Sequence, residues 1–349
     1  MPGTVLLAGA TGYIGSRVAR ELFEAGYDLI CPVRDPDTPA ARQLESLTAE
    51  LADAAGSVRI AHADVTDREV LFLALDGIPD SHARREPVDL VVSCLASRSG
   101  APDDSVLVEY TANRNLLDWS LARGVKHFSL LSAICVQKPR LAFQNAKLRF
   151  EHELASSGLP HSIVRPTAFF KSLSGQVGRV REGKAFLVFG SGEATACKPI
   201  AEADLARYLR LTLEDPDLRG VLPIGGPGPA ITPLEQARML AKLCHRPLKV
   251  RSVPPQLLLA AARVLSIAGL LSRKMAAKAE FARIGHYYAT ESMLLWDERA
   301  QRYDAEATPE FGSITLSASY QAQLAGEESQ NLADHAMFDE RQYESREST

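Results

Sequence analysis

LLAGATGYIGSRV, residues 6–18, carries the spacing G-x-x-G-x-x-G at Gly9, Gly12 and Gly15. The apolar run TVLLAGA (4–10) reads as a short strand that ends in glycine. Residues 13–26 after it place Ile14, Val18, Leu22 and Ala25 on one face of a helix. A glycine-rich turn between a strand and a helix permits a tight reversal. It also lets backbone N–H groups approach a pyrophosphate at the positive end of the helix dipole. Three glycines alone are a weak signal. In this strand–turn–helix setting they predict a dinucleotide site built from Gly9, Thr11, Gly12, Tyr13, Ile14 and Gly15.

Working outward, strand-like and helix-like runs alternate. DLICPV (28–33), SVRIAHAD (57–64), VDLVVSCLA (88–96), HFSLLS (127–132) and HSIVRP (161–166) read as further strands. Helical stretches at 38–55, 67–76, 103–123 and 140–157 separate them. Strands this uniformly apolar are expected in a sheet covered on both faces. The pattern predicts an α/β fold, a Rossmann-type doubly wound parallel sheet over residues 1–166. A smaller mixed α/β C-terminal part that binds substrate is expected over 167–323. There, GKAFLVFGSGEATACKPI (183–200) reads as a hairpin or short strands, and 202–215 as a helix. Thr232, Pro233 and Glu235 signal a helix start. From 324 to 349 the chain is polar and charged, and a disordered tail is expected.

Composition narrows the function classes. The 349 residues are 46% hydrophobic and carry a net charge of -4, so no basic field exists to attract nucleic acid. Five scattered cysteines without a CxxC pair give no basis for a disulfide framework, an iron–sulfur cluster or a protein-bound metal. QLLLAAARVLSIAGLL (256–271) is too short for comfortable membrane insertion and contains Arg263, so it reads as a buried or amphipathic helix, with loose peripheral membrane contact as the lesser alternative. The strand at Thr4 follows no leader-like segment, and a bacterial, cytoplasmic protein is expected.

Other site residues follow from topology. The second strand ends at Arg34, where an acidic residue would hold a ribose 2′-OH; an arginine there favours a 2′-phosphate, hence NADPH, with Arg17 as a second cation. Asp64 and Val65 are placed to meet the adenine, and Ser93, Leu95 and Ala96 to line the cofactor cleft. Ser132 ends the fifth strand near the expected nicotinamide position and, with Lys147, is the candidate catalytic pair. Lys147, on the next helix, is placed to bond the nicotinamide ribose, an ordinary surface lysine being the competing reading. Phe143 lies one turn before it. Phe169, Phe170 and Lys171 follow the sixth strand, where Phe rings suit a flat apolar substrate and the amine a carboxylate; core packing is the alternative for the rings.

At these residues the first half resembles the NmrA-like atypical short-chain dehydrogenases. The strings HFSLLSAICVQKP, FQNAKLRFE, IVRPTAFFKSLSGQV, ACKPIAEADLA, LPIGGPGPAITPLEQ and GHYYATESML resemble the NADPH-dependent divinyl chlorophyllide 8-vinyl reductases, over residues 4–318. That resemblance implies reduction of the 8-vinyl group of a divinyl (proto)chlorophyllide to ethyl, in chlorophyll or bacteriochlorophyll synthesis for photosynthesis. Where short-chain dehydrogenases carry a tyrosine acid four residues before the lysine, this chain has Phe143. A ring without a hydroxyl argues against alcohol–ketone interconversion, which needs an acid for the alkoxide. Hydride addition to a conjugated vinyl group spreads the charge into the macrocycle instead. Lys147, Lys171, Tyr287 and solvent all stay open as the proton source, and His286 as a ligand to the pigment's magnesium. Two other readings remain: a reductase of another conjugated substrate such as a quinone or phenylpropanoid, and a non-catalytic NADP-binding regulator or assembly factor.

Overall fold

The computed structural model describes residues 3–51, 56–77, 87–269 and 272–326. Two compact units are present, the first made of Met1–Ser97, Pro102–Arg165 and Leu205–Leu222. The second comprises Arg98–Ala101, Pro166–Asp204 and Pro223–Thr349.

In the first unit the order is β1 (Thr4–Ala8), α1 (Tyr13–Glu24), β2 (Asp28–Val33), α2 (Pro39–Glu50), β3 (Val58–His62), α3 (Arg68–Asp76) and β4 (Val88–Ser93). A long helical stretch follows, made of α4 (Pro102–Ser105), a π-helical segment (Val106–Ala112) and α5 (Asn113–Arg123). Then come β5 (His127–Leu131), α6 (Ala142–Ser156) and β6 (His161–Pro166). The strands stand in the order β3-β2-β1-β4-β5-β6, with parallel pairing throughout. This is the doubly wound arrangement, and its strand order reverses between β1 and β4, where such sheets bind ligands.

The sheet is parallel because each strand is apolar on both faces. Every residue of β1 and β5 is buried, and helices cover both sides. Ile14, Val18 and Leu22 are the buried stripe of α1. Across the sheet, Leu6, Val91, Leu116, Trp119, Phe128, Phe150 and Ile163 form one core cluster. The Phe128 and Phe150 rings lie 5.9 Å apart at 55°. Burying a side chain of that size contributes about 1.5–3 kcal/mol.

Beyond β6 the elements are α7 (Phe170–Leu173), α8 (Val177–Arg181), β7 (Phe186–Phe189), α9 (Glu202–Glu214) and β8 (Gly220–Ile224), the last standing beside β6 in the sheet. They are followed by α10 (Pro233–Leu243), β9 (Val250–Val253), α11 (Gln256–Gly269), α12 (Arg273–Thr290), β10 (Leu295–Asp297), β11 (Arg302–Asp304) and α13 (Leu316–Ala325). Stretch 183–200 is not a hairpin. β7 pairs in parallel with β9, and Cys197 bridges to Ile231 and Met293. A parallel pair needs a long connection, and the run from 190 to 249, containing α10, supplies it. Thr232 caps α10 reciprocally with Glu235, as its sequence predicts. Phe170, Phe186, Val188, Leu240 and Tyr320 share this unit's core. Tyr320 is fully buried because its hydroxyl has partners: it accepts from Gln236 Nε2 at 2.6 Å and donates to the Leu173 carbonyl at 3.0 Å. The β10–β11 hairpin, with Trp296 edge-on to Tyr303, has no counterpart in the sequence reading. The tail expected to be disordered begins inside α13, and its residues 327–349 lie outside the described residues.

β5 also contains a titratable group. His127 is 3% exposed, its Nε2 lies 3.2 Å from Ser162 Oγ, and its Nδ1 has no hydrogen-bond partner. Burial, aided by the charges of Arg219 and His161, lowers its pKa from 6.5 to about 4. Between those values the unfolded chain takes up a proton that the folded one refuses, so stability falls as pH drops through this window. The loss is roughly 3 kcal/mol. Urea unfolding at pH 7 and pH 4.5 should show it, and His127→Leu should flatten the slope. An unchanged slope in the variant would assign the acid sensitivity to other groups.

Candidate active site

The β1–α1 turn is set by backbone contacts. Gly9 has φ +79°, and a Cβ there would lie 2.8 Å from the Cys94 carbonyl oxygen at the end of β4. A Cβ on Gly15 would collide with the Gly9 carbonyl oxygen. Glycine at both positions therefore pulls the end of β1, the start of α1 and the end of β4 into one corner. The N-cap of α1 is Gly12, which has no side chain to cap the helix, so the helix N-terminus faces outward without one. Such a twelve-residue helix start fits a pyrophosphate, with Thr11, Tyr13 and Ile14 in the turn beside it.

Around this corner the other cofactor candidates are ordered. Arg34 follows β2 with its side chain 75% exposed, and its Nε is 3.6 Å from Asp64 Oδ2. Asp64 is fixed in turn by the Thr66 N–H at 2.9 Å and the Thr66 hydroxyl at 2.7 Å. Burial works to raise the Asp64 pKa, but the Thr66 hydrogen bonds and the Arg34 charge outweigh it and hold the carboxyl below its usual range. The Val65 carbonyl accepts from Asn115 Nδ2 of α5 at 3.0 Å, which pins the corner where adenine is expected. Arg17 is exposed on α1.

At the end of β4, Ser93 is buried and donates to Asn113 Oδ1 at 2.5 Å. Leu95 is half-buried and Ala96 exposed, and the following Ser97 N–H donates to Glu109 Oε1 at 2.9 Å. The other Glu109 oxygen is 2.7 Å from Lys147 Nζ. Both residues are buried, Glu109 at 3% and Lys147 at 9% exposure, so Lys147 is not a surface lysine. Through Glu109, Lys147 is tied to the loop after β4, and Cys94 at the start of that loop lies against Gly9. Burial pushes the Cys94 thiol pKa up to about 12, against the opposing pull of the Lys147 charge.

Glu109 escaped the sequence reading. A signal existed, because Ser105, Glu109, Ala112, Asn113, Leu116 and Leu117 recur at helical spacing on a buried face. A carboxylate on such a face requires a partner.

Ser132, at the end of β5, is hydrogen-bonded into α6. Its hydroxyl donates to Glu151 of α6, and Glu151 is also paired with Arg165. Its proton is committed to a buried structural network. Phe143, in the first turn of α6, is half-buried. In the second unit Phe169 is half-buried and bridges to Ile200, whereas Phe170 is fully buried in the core. Lys171 is also buried, and its backbone N–H donates to Glu202 Oε1 at 3.1 Å. On α12, Tyr287 is buried and His286 half-buried.

Comparison with known proteins agrees with a nucleotide-binding fold. A family model described as NAD(P)H-binding matches residues 9–216. A chloroplastic divinyl chlorophyllide a 8-vinyl-reductase of Cucumis sativus is 41% identical over 341 residues, which is 96% of this chain and 79% of that protein. Its Zea mays counterpart is 43% identical over 343 residues, 96% of this chain and 83% of that protein. Among solved structures, an NADPH-dependent quinone oxidoreductase from Escherichia coli, complexed with NADPH, shares the fold. Its TM-score is 0.61 at 18% identity, covering 92% of this chain and 99% of that one.

The relatives correct one expectation. A bacterial, cytoplasmic protein was expected from the first residues, but the similar reductases are chloroplastic. The chain's first residues carry no weight on compartment.

The exposed Arg34 guanidinium is the group to test for cofactor choice. Arg34→Glu should weaken NADPH binding far more than NADH binding in parallel fluorescence titrations, by on the order of tenfold or more for one lost charge-assisted contact. Equal losses for both cofactors would remove Arg34 from the 2′-phosphate site.

Proposed function

Since the chain belongs to the divinyl chlorophyllide a 8-vinyl-reductase family, we infer that it uses NADPH to reduce the 8-vinyl group of a 3,8-divinyl (proto)chlorophyllide to ethyl in chlorophyll biosynthesis. One observation carries this reading. The NAD(P)H-binding match ends at residue 216, whereas the identity to the reductases covers 96% of the chain and so includes the second unit. A shared nucleotide fold alone would not extend that far. The likeness to the quinone oxidoreductase is one of fold.

In this reading the protein orients and the cofactor reduces. NADPH supplies the hydride. The Gly9–Gly15 turn holds the pyrophosphate at the α1 N-terminus, Arg34 meets the 2′-phosphate, and Asp64 and Val65 border the adenine. Ser93, Leu95 and Ala96 wall the cleft, and the Lys147 ammonium bonds the nicotinamide ribose. Ser132 acts through the fold, tying β5 to α6 through Glu151. Phe143 needs no hydroxyl, because the macrocycle delocalises the charge that hydride addition creates; its half-buried ring offers an apolar face to a flat pigment. In the second unit, the half-buried Phe169 is the candidate for an apolar contact with the pigment, and Phe170 is core. Lys171, buried with its backbone N–H on Glu202, is the candidate to meet the pigment carboxylate.

The test is purified protein with NADPH and 3,8-divinyl chlorophyllide a, followed by chromatographic separation of the pigments. An 8-ethyl product that requires NADPH is expected, and Lys147→Ala should slow its formation on the order of 100-fold. Bound NADPH with unchanged divinyl pigment, and turnover of small quinones instead, would reject the substrate. A Lys147→Ala variant working at the original rate would reject the site.

Peripheral membrane contact belongs to the same reading. No helix among the described residues is long and apolar enough to cross a membrane. Yet α11 exposes Leu257, Val264 and Ile267 along one face, and α12 exposes Phe281. Arg263, Lys278 and Arg283 accompany them against the buried Glu280, in a chain whose net charge is -4. Apolar anchors with a basic fringe suit an anionic lipid surface. The protein should sediment with anionic vesicles more than with zwitterionic ones, and Ile267→Glu should abolish the difference. Equal sedimentation with both would remove the lipid surface as this face's partner.

A further inference from the structure

The Glu109–Lys147 pair is costly as a stability device. Withdrawing a carboxylate and an ammonium from water carries a desolvation penalty that their attraction often fails to recover, and apolar residues of similar volume commonly do as well. Its placement needs another explanation, and three features supply one. Glu109 lies in the π-helical segment Val106–Ala112, an uncommon widening of the helix that is frequent at functional sites. Its two oxygens are divided between two tasks: Oε1 accepts the Ser97 N–H at 2.9 Å, and Oε2 meets Lys147 Nζ at 2.7 Å. Its own backbone carbonyl accepts from Asn113 Nδ2 at 2.9 Å, and Asn113 Oδ1 in turn accepts from Ser93.

We propose that Glu109 is the positioning residue of the cofactor cleft: one carboxylate fixes both the Lys147 ammonium and the 95–97 loop that follows β4. This rests on the reductase reading above and deepens it by naming what holds its central lysine. A lysine side chain has four rotatable bonds and a compact charge, so on its own it selects no single position. The buried carboxylate selects one, on the side of the cleft set by the end of β4. Because the same carboxylate anchors Ser97, the ammonium and the loop are held at a fixed separation. Asp104 reinforces the loop, accepting from the Ser97 hydroxyl at 2.5 Å. Glu109 acts through Lys147 and the loop, and touches neither cofactor nor pigment in this account.

A double-mutant cycle on the full chain tests this, with Glu109→Gln and Lys147→Met made alone and together. The readouts are the NADPH dissociation constant, by cofactor fluorescence, and the single-turnover rate of divinyl chlorophyllide a reduction. Each single substitution should slow reduction on the order of 100-fold, the cost of a misplaced group near the reacting atoms. The double variant should be no slower than the slower single, because both changes disable one unit. Losses that multiply would overturn the proposal, as would Glu109→Gln working within about twofold of the original rate. If Glu109→Gln does not fold, Glu109→Asp decides, since it keeps the charge and shortens the reach. Reduced turnover with NADPH still bound supports the proposal, and full turnover overturns it. If the original protein reduces no divinyl pigment, the substrate reading fails separately. The same cycle read in NADPH affinity then judges Glu109: coupled losses keep it, and multiplying losses sink it.

Discussion

Everything in the first unit depends on how closely three backbone segments meet beside Gly9. The missing Cβ of Gly15 lets α1 start against the Gly9 carbonyl, and the missing Cβ of Gly9 lets β1 end against the Cys94 carbonyl. A side chain at either position would force these segments apart. Because they meet, the start of α1 and the end of β4 converge at the reversal of strand order, where a parallel sheet leaves room for a ligand, and Glu109 ties Lys147 to the loop that follows β4. Gly12 at the N-cap leaves the α1 N-terminus without a side-chain cap, the kind of helix start that suits an anionic group.

The second constraint is electrostatic. Lys147 is buried, and a buried ammonium requires an opposite charge beside it. Two buried ion pairs reach into α6: Glu109 with Lys147, and Glu151 with Arg165, the latter also accepting from Ser132. They lie on one helix but serve different ends. The Glu151 network ties α6 to β5 and β6, so it fixes the helix axis. The Glu109 pair fixes one atom on that helix. Ser132, at the end of β5, belongs to the network that fixes the helix axis.

Much of the first unit was legible in the sequence because its signals are local. Gly9, Gly12 and Gly15 declare the turn, the apolar strands declare the buried parallel sheet, and Thr232 with Glu235 declares a helix start. Long-range pairings were not legible. β7 joins β9 across some sixty residues, and nothing in FLVF selects a parallel partner over a hairpin one. The β10–β11 hairpin is three residues a side, too short for alternation to register. At the site, Lys147 was legible from its distance to the fifth strand. Glu109 was not, because a glutamate in a helix is ordinarily a solvated one; its burial shows only when the face it shares with Ala112 and Leu116 is packed against the sheet.

Phe143 shows how an absence can carry information. A tyrosine at that position would supply an acid suited to a charge held on one oxygen, whereas hydride addition to a conjugated vinyl group spreads the developing charge over the macrocycle, and the proton that completes the ethyl group comes from another donor. The ring without its hydroxyl costs the reaction nothing there and gains apolar surface for a large flat substrate. On the proposed assignment the site works by orientation: the glycine turn and Lys147 hold the cofactor, and Glu109, 2.7 Å from the ammonium, holds Lys147. A site organised in this way tolerates changes in acid–base chemistry and is sensitive to small displacements, so the residues that matter most need not touch the substrate. The buried carboxylate of the π-helical segment is the clearest of them.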